Sequence, residues 1–467
     1  MVGVKATETP VFAVVGHPNK GKSSIVATLT RQDAVKISEI SGTTTSSQTF
    51  DLSIDGITQY TLVDTPGFQR PRQVMSWLQQ HSPNAAERKQ TVQSFIDQER
   101  RQKNTRFHDE VELLQPILDG AGIIYVVDGS LPYTSEFEAE MTVLQWTGQP
   151  RMALINPIGG EAYVEEWKNA LSQYFSIVRV FDPLTADYQK QFAVLSAFAE
   201  LYEPWRESIE STIEQLNQYV KRLEQQGAWT VAEHVVRMLS HVSEIKVPQQ
   251  FIESTLQKKL KVDYQQSLRA IEDDMHSQLK ALFSHPQMRT ESQLLTADYP
   301  DLFDDNYWYL YGLDRRKIIA LSASAGAAAG AVIDIGVGGA SLMTGAMTGG
   351  LLSGLASIAA TWKPEKLNIK GVPLAGKSLT AGPVKDLGFA FVLLGRAIDF
   401  LTMIRLRTHA DRSVAKVVDS RFTDRFNRLT KKDQVQLARI LHKAQKGLNE
   451  KDLIRFRDWI LTLCDWT

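Results

Sequence analysis

Cysteine is almost missing from this chain: Cys464 stands alone among 467 residues. A single thiol cannot close an intramolecular disulfide, so a disulfide-stapled secreted module is excluded and a reducing compartment is expected. Net charge is also small, −1, which rules out bulk electrostatics as a route to nucleic acid. The nine histidines show no metal-ligand spacing. No Ser-His-Asp set or paired-carboxylate site stands out, and no internal repeat recurs at a fixed period. Residues 1–16, MVGVKATETPVFAVVG, have neither the arginine-rich bias of a transit peptide nor an apolar stretch with a small-residue cleavage site. The expectation is a chain that is cytoplasmic on synthesis. Hydrophobic residues at 43% and charged residues at 22% are ordinary globular proportions, and the length suggests about three domains.

What is present is unevenly placed. Residues 405–458 hold fifteen Lys/Arg against seven Asp/Glu, so this stretch carries +8 and the remainder −9. The first 200 residues alternate short β-branched runs with helix-length segments. The runs are Val11–Val15, Gln59–Val63, Ile123–Val127, Ala153–Ile155 and Ile177–Phe181. This rhythm predicts an α/β domain with a mostly parallel sheet and helices on both faces. Phe50–Ile54, followed by Asp55-Gly56, reads as the antiparallel partner of Gln59–Val63 across a tight turn. From about residue 203 the pattern turns helical, with Glu207–Gln226 and Glu253–Phe283 as long amphipathic segments. Residues 318–362 are mostly Ala, Gly, Ser, Val and Leu with Asp334 as the one charge, and Leu387–Ile404 reads as an apolar helix.

The strongest local pattern is Gly16-His-Pro-Asn-Lys-Gly21-Lys22-Ser23. It follows a strand run and opens a helix, the context that a phosphate-binding loop requires. Glycines let backbone amides face phosphate oxygens, and the helix N-terminus adds its positive end. Lys22 reaches the β/γ phosphates and Ser23 supplies a magnesium ligand. The bland alternative is a glycine-rich turn without a ligand. A second match, Gly371 to Ser378, lacks that context: an alternating segment precedes it and Gly382-Pro383 stops any helix after it. It reads as a chance match in a hairpin or loop.

Asp64-Thr65-Pro66-Gly67 follows the run Gln59–Val63. An aspartate there can hold a magnesium shell, and the Gly67 amide can sense a γ-phosphate. Between the two motifs, Ser41-Gly42-Thr43-Thr44-Thr45 is placed to close over the metal.

The order GHPNKGKS, SGTTT, DTPG resembles the translation-factor-related GTPases of the Era, TrmE and EngA group. The resemblance covers about 200 residues and implies a Ras-like P-loop GTPase fold, GTP/GDP and Mg2+. It further implies phosphate binding by Asn19, Lys20, Gly21, Lys22, Ser23 and Ser24, and magnesium binding by Ser23 and Thr44. Asp64 would act through a metal-bound water, and Gly67 at the γ-phosphate. Asn19 matches a loop asparagine that helps ligate potassium in TrmE-like relatives, so K+ activation is expected. The whole-chain pattern, including Gly67-Phe68-Gln69-Arg70 and Tyr307 to Leu313, also resembles a bacterial family that fuses such a GTPase to a C-terminal domain of unknown function.

Two departures bear on chemistry. Where Asn-Lys-x-Asp would read guanine, this chain has Asn156-Pro157-Ile158-Gly159. Asn156 remains but the aspartate is lost, which should lower base discrimination; Asp182 is a conceivable substitute. Phe68 stands where a glutamine would orient the attacking water, so hydrolysis needs another group, a second subunit or a cation. Gln69–Gln115 is longer than a minimal loop and carries Arg70, Arg72, Arg88, Arg100, Arg101 and Arg106. It reads as a solvated helical insertion; the sharper alternative is one arginine reaching the γ-phosphate, in cis or across a homodimer.

The expected organisation is a GTPase domain over 1–202 with an insertion at about 69–115, a helical region over 203–317, an apolar helical hairpin over 318–362, and a helical region with a basic tail over 363–467. Small-residue spacings at Gly326/Gly330, Gly345/Gly349 and Gly350/Gly354 suit close helix packing in lipid. The hairpin lies either at an anionic inner-membrane surface or buried in the C-terminal domain. Arg396 and Asp399, one turn apart in the apolar helix Leu387–Ile404, favour protein packing over lipid for that helix. The functional expectation is a GTP-hydrolysing switch, slow without a partner, coupled to a helical and membrane-associated effector domain or an unknown protein effector. A non-hydrolysing or base-unselective nucleotide-binding scaffold is the alternative. Ribosome or RNA assembly is disfavoured, since the net charge is near neutral and no RNA module is recognisable.

Overall fold

The computed structural model describes residues 9–32, 46–102, 105–246, 253–285, 370–371, 378–411 and 422–464. Thr44, the Gly/Ala-rich segment 318–362 and most of the second glycine-lysine-serine match lie outside the described residues. The chain divides into two compact units, the first running to Arg222 and taking in Leu406 onward for a few residues, the second comprising the rest.

In the first unit the elements run β1 (Val11–Val15), α1 (Lys22–Thr30), β2 (Gln48–Ile54), β3 (Ile57–Asp64), α2 (Pro71–His81), α3 (Arg88–Arg100) and α4 (His108–Leu118). Then come β4 (Gly122–Asp128), α5 (Glu136–Trp146), β5 (Arg151–Asn156), α6 (Val164–Leu171), β6 (Ile177–Val180), α7 (Tyr188–Leu201) and the start of α8 (Arg206–Ser240). The six strands form one sheet in the order β2-β3-β1-β4-β5-β6. All pairings are parallel except β2 with β3. That hairpin turns at Asp55 and Gly56, both with positive φ (51° and 79°), the geometry that matches strand twist and that Asp-Gly adopts at little cost.

Side-chain alternation along the strands feeds two cores. Ala13, Val15, Ile123, Tyr125, Val127 and Ile155 point to one face, covered by α2 to α6. Phe12, Val14, Ile124, Val126, Met152 and Leu154 point to the other, covered by α1, α7 and the beginning of α8 through Ile209, Leu216 and Val220. The insertion after Gly67 is therefore three amphipathic helices. Their apolar sides (Val74 and Leu78, Phe95 and Ile96, Leu114 and Ile117) are buried in the first core, while Arg72, Arg88, Arg100, Arg101 and Arg106 stay exposed.

The second unit holds the remainder of α8, β7 (Ser243–Lys246), α9 (Glu253–Leu282), β8 (Lys370–Gly371), β9 (Ser378–Ala381) and α10 (Leu387–Leu406). The helices α11 (Phe422–Arg428), α12 (Lys431–Ala444) and α13 (Glu450–Leu463) complete it. The helical expectation holds, with one addition: β7, β9 and β8 make a small antiparallel sheet. The β7–β9 pairing joins strands more than 130 residues apart, a contact that local periodicity does not encode. Ser378 begins a strand rather than a helix, so the second glycine-lysine-serine match is not a strand–loop–helix.

Helix α10 is the one described helix long and apolar enough to cross a membrane by length and composition, and 94% of its apolar window is buried inside the protein. Arg396 and Asp399 stand one turn apart in this helix, and the structure sets Arg396 against Glu272 of α9, with Nε–Oε1 at 2.8 Å and Nη2–Oε2 at 3.2 Å. Both side chains are buried.

Candidate nucleotide site

The site forms at the carboxyl ends of β1 and β3, which lie side by side with Val14 in register with Asp64. The loop Gly16 to Gly21 leaves β1 and enters α1 at Lys22. Gly21 has φ 82°, and a methyl group on it would fall 2.2 Å from Nδ2 of Asn156, so only glycine fits there. No side chain caps the α1 N-terminus, whose amides and dipole face the loop. Asn19 is exposed with φ 63°, and Ser24 lies half-buried in the first turn of α1.

Lys22 is buried and folds back across the loop, its Nζ donating to the carbonyls of Gly16 (3.2 Å) and His17 (3.1 Å). Burial lowers its pKa to about 8, opposed by the nearby carboxylates of Asp64 and Glu140. Ser23 Oγ donates to Asp64 Oδ2 at 2.7 Å. Asp64 is buried, and its second oxygen, Oδ1, has no hydrogen-bond partner. Burial raises its pKa, against the Ser23 bond and the Lys22 charge. A desolvated ammonium beside a half-satisfied carboxylate and a hydroxyl is a costly arrangement for a core. It suits a polyphosphate and a hard divalent cation, which takes oxygen ligands of this kind. The donor set therefore fits magnesium, which among the described residues Ser23 and Asp64 would hold.

Gly67 backs directly onto the loop, and a methyl group on it would sit 2.6 Å from both N and Cδ of Pro18. Thr65 Oγ1 ties the same segment to the carbonyl of Val14 at 2.8 Å. Phe68 is fully buried in the core, so its side chain is anchored away from solvent.

At the base end, Asn156 terminates β5 and is buried, with Nδ2 donating to the carbonyl of Lys20 at 3.2 Å. Lys20 Nζ lies 3.5 Å from Asp128 Oδ2. Gly159 turns with φ 77° and nothing within 4 Å of a virtual methyl. Asp182 does not replace the lost aspartate as arranged: Oδ1 accepts from the Leu184 amide (2.9 Å) and Oδ2 from Thr185 Oγ1 (2.7 Å), closing its own turn. The insertion arginines engage locally. Arg70 donates to the Arg106 carbonyl at 2.9 Å, Arg72 lies 3.7 Å from Glu136, and Arg88 and Arg106 stack over Trp146 and Phe107.

Sequence reading did not single out three acidic residues that hold the site. Glu140 accepts from Tyr125 Oη (2.9 Å) and lies 2.8 Å from His17 Nδ1. Glu110 and Glu112 anchor the loops around Gly67 and Ser47. Glu110 and Glu140 are marked only by standing inside otherwise apolar helical faces, and nothing local marks Glu112.

Residues 168–454, more than half of the chain, match a family described as a domain of unknown function, DUF3482. The chain belongs to this family. Residues 11–156 match the family model described as 50S ribosome-binding GTPase. This DUF3482 protein thus joins an Era- and EngA-like P-loop GTPase domain to a C-terminal domain of unknown function, as the motif order implied. Among curated relatives, GTPase Der of Agathobacter rectalis is 35% identical over 94 residues, 19% of this chain and 21% of that protein. GTPase Der of Flavobacterium johnsoniae is 41% identical over 78 residues, 16% of this chain and 17% of that protein. The chain spans about a fifth of the length of these relatives. A solved structure of Aquifex aeolicus Era bound to GDP and AlF4− aligns with 59% of this chain and 90% of that one, at 15% identity and a TM-score of 0.28. That likeness is too low to add to the assignment.

Proposed function

We propose that this protein is a GTP-binding and GTP-hydrolysing switch whose nucleotide state is read by its C-terminal domain. The observation that carries this reading is the convergence of buried Lys22, half-buried Ser23 and the unpartnered Oδ1 of Asp64 at the carboxyl ends of β1 and β3. In this reading Lys22 leaves the loop carbonyls to bind the β/γ phosphates, and the amides from Asn19 to Ser24 line the phosphate path. Ser23, Asp64 and Thr44 hold magnesium, which when bound neutralises charge on the phosphates. The Gly67 amide meets the γ-phosphate, and its loss after hydrolysis releases that segment.

Phe68 is committed to the core, so water orientation falls to another group. Potassium held with the help of Asn19, or a residue from a second copy, supplies the missing element in this proposal. Single-turnover hydrolysis by the purified chain, in potassium and in sodium at matched ionic strength, is the test. Turnover that Lys22→Ala abolishes supports the switch. Binding without turnover in either salt returns the non-hydrolysing scaffold, and equal rates in the two salts sink the potassium role.

The description of the matching GTPase family brings ribosome association forward as a second reading. Cosedimentation with 50S subunits in the presence of a non-hydrolysable GTP analogue would establish it. Membrane association, at the inner face of the cytoplasmic membrane, rests on segment 318–362 and the basic tail. Flotation with anionic vesicles that deletion of 318–362 abolishes would support it; a chain that ignores such vesicles at low salt would end it.

A further inference from the structure

Helix α4 bonds two described segments beside the candidate site, the residues after Gly67 and Ser47 before β2. Glu110, in its first turn, is fully buried. Its Oε1 accepts from the backbone amides of Gln69 (3.0 Å) and Arg70 (2.5 Å), just beyond Gly67. Arg70 answers from the other side, its guanidinium donating to the carbonyl of Arg106 at 2.9 Å. Two residues further along α4, Glu112 Oε2 accepts from the Ser47 amide at 3.2 Å, and the Glu112 carbonyl accepts from Ser47 Oγ at 2.8 Å. Ser47 precedes β2 and stands three positions after Thr44 in sequence. The same helix buries Val111, Leu113, Leu114 and Ile117 in the core that α2 and α3 share.

One helix of the insertion therefore grips two segments from different parts of the chain, and it shares a core with the other two insertion helices, α2 and α3. We propose that Glu110 and Glu112 are positioning residues that make α4 the coupling element between the nucleotide loops and the α2–α3 insertion. The proposal rests on the switch reading above. A buried carboxylate that satisfies two consecutive amides cannot release them gradually, because each lost bond leaves a buried polar group unpaired. The second oxygen of Glu110, Oε2, is buried without a hydrogen-bond partner. It offers a displaced amide an acceptor on the same side chain, so the loop has two discrete seats rather than a continuum. A shift of Gly67 at a γ-phosphate is then passed to α4, and from its apolar face to α2 and α3.

The test is hydrogen exchange on the full chain with GDP or with magnesium and a non-hydrolysable GTP analogue. Wild type, Glu110→Ala, Glu110→Gln, Glu112→Gln and Ser47→Ala are compared. In wild type the analogue protects the amides of residues 16–23 and alters exchange in α2 and α3. In Glu110→Ala the loop amides at residues 69 and 70 exchange about tenfold faster, residues 16–23 keep their protection, and the response of α2 and α3 is lost. Glu110→Gln, which retains an acceptor oxygen, restores most of that response. If Glu110→Ala fails to give a cooperative thermal transition, Ser47→Ala and Glu112→Gln, at half-buried positions, carry the same comparison. An α2–α3 response that is equal in wild type and every folded variant overturns the coupling role and leaves the switch intact. Wild type with no protection of residues 16–23 by either nucleotide overturns the switch reading, and the coupling role with it.

Discussion

Gly67 and Pro18 meet at a distance that leaves no room for a side chain: a methyl group on Gly67 would lie 2.6 Å from the Pro18 nitrogen and Cδ. The contact joins the segment after β3 to the loop after β1, two stretches that sequence separates by almost fifty residues. Proline at the contact cannot move aside by rotating a side chain. Gly67→Ala should therefore displace the whole segment at a cost of about 1–3 kcal/mol. Triphosphate affinity should fall at least tenfold while diphosphate affinity changes little. Titration with fluorescent GDP and GTP analogues measures both, and equal losses for the two nucleotides would contradict a γ-phosphate role for Gly67.

Lys22 should stabilise the nucleotide-free protein when its charge is removed. Its folded pKa is lowered from 10.5 to about 8 by burial, so the charged form is disfavoured in the folded state. That cost, roughly 3 kcal/mol by the linkage relation, applies in full below pH 8 and disappears as pH rises from 8 to 10.5. Lys22→Met should raise the Tm of the nucleotide-free chain at pH 7 and lose this advantage by pH 10, while abolishing triphosphate binding at both. A Tm advantage that does not change with pH would mean that the lysine is not desolvated.

Asp64→Asn keeps an oxygen for Ser23 but removes the charge that suits a divalent cation. The expected outcome is a triphosphate affinity that no longer responds to magnesium, with a loss of roughly ten- to a hundredfold at saturating magnesium relative to wild type. Titration with and without EDTA reads this directly; a retained magnesium response would place the ion elsewhere.

Asn156-Pro157-Ile158-Gly159 should give a GTP preference smaller than a site with a complete guanine-reading motif provides. Gly159 has open space around it and a left-handed backbone that aspartate adopts more readily than most residues. Gly159→Asp is therefore expected to raise the GTP-to-ATP affinity ratio about tenfold. Competition of labelled GTP by ATP, before and after the substitution, checks it. An unchanged ratio would show that this turn does not face the base.

The buried pair Glu272–Arg396 should behave as a unit. Arg396→Leu removes the guanidinium that holds both oxygens of the buried Glu272 carboxylate, with an expected loss of about 3 kcal/mol in urea unfolding. Adding Glu272→Leu should recover most of that loss, because two apolar side chains of similar size can replace a buried ion pair. A double variant as unstable as the single one would show that other groups depend on the pair.

By itself the sequence determined the architecture of the first unit and the identity of the phosphate loop. Those features are written in local terms: β-branched runs at strand length, helix-length spacers, an Asp-Gly turn, and glycines where backbone must meet phosphate. The placement of Lys22, Ser23, Asp64 and Gly67 beside the ends of β1 and β3 was legible for the same reason. Of the long helices, α9 and the part of α8 up to Gln226 were legible from periodicity, and α10 from its apolar composition. Tertiary structure decided what depends on distant partners. It set Arg396 against Glu272 of α9, and paired Ser243–Lys246 with Ser378–Ala381. It closed Asp182 into its own turn, and it turned Glu110 and Glu112 from two acids on a helix into anchors for two loops. A side chain's periodicity says which face it occupies, while its partner is chosen by burial, where an unpaired charge or amide costs too much to leave unmatched.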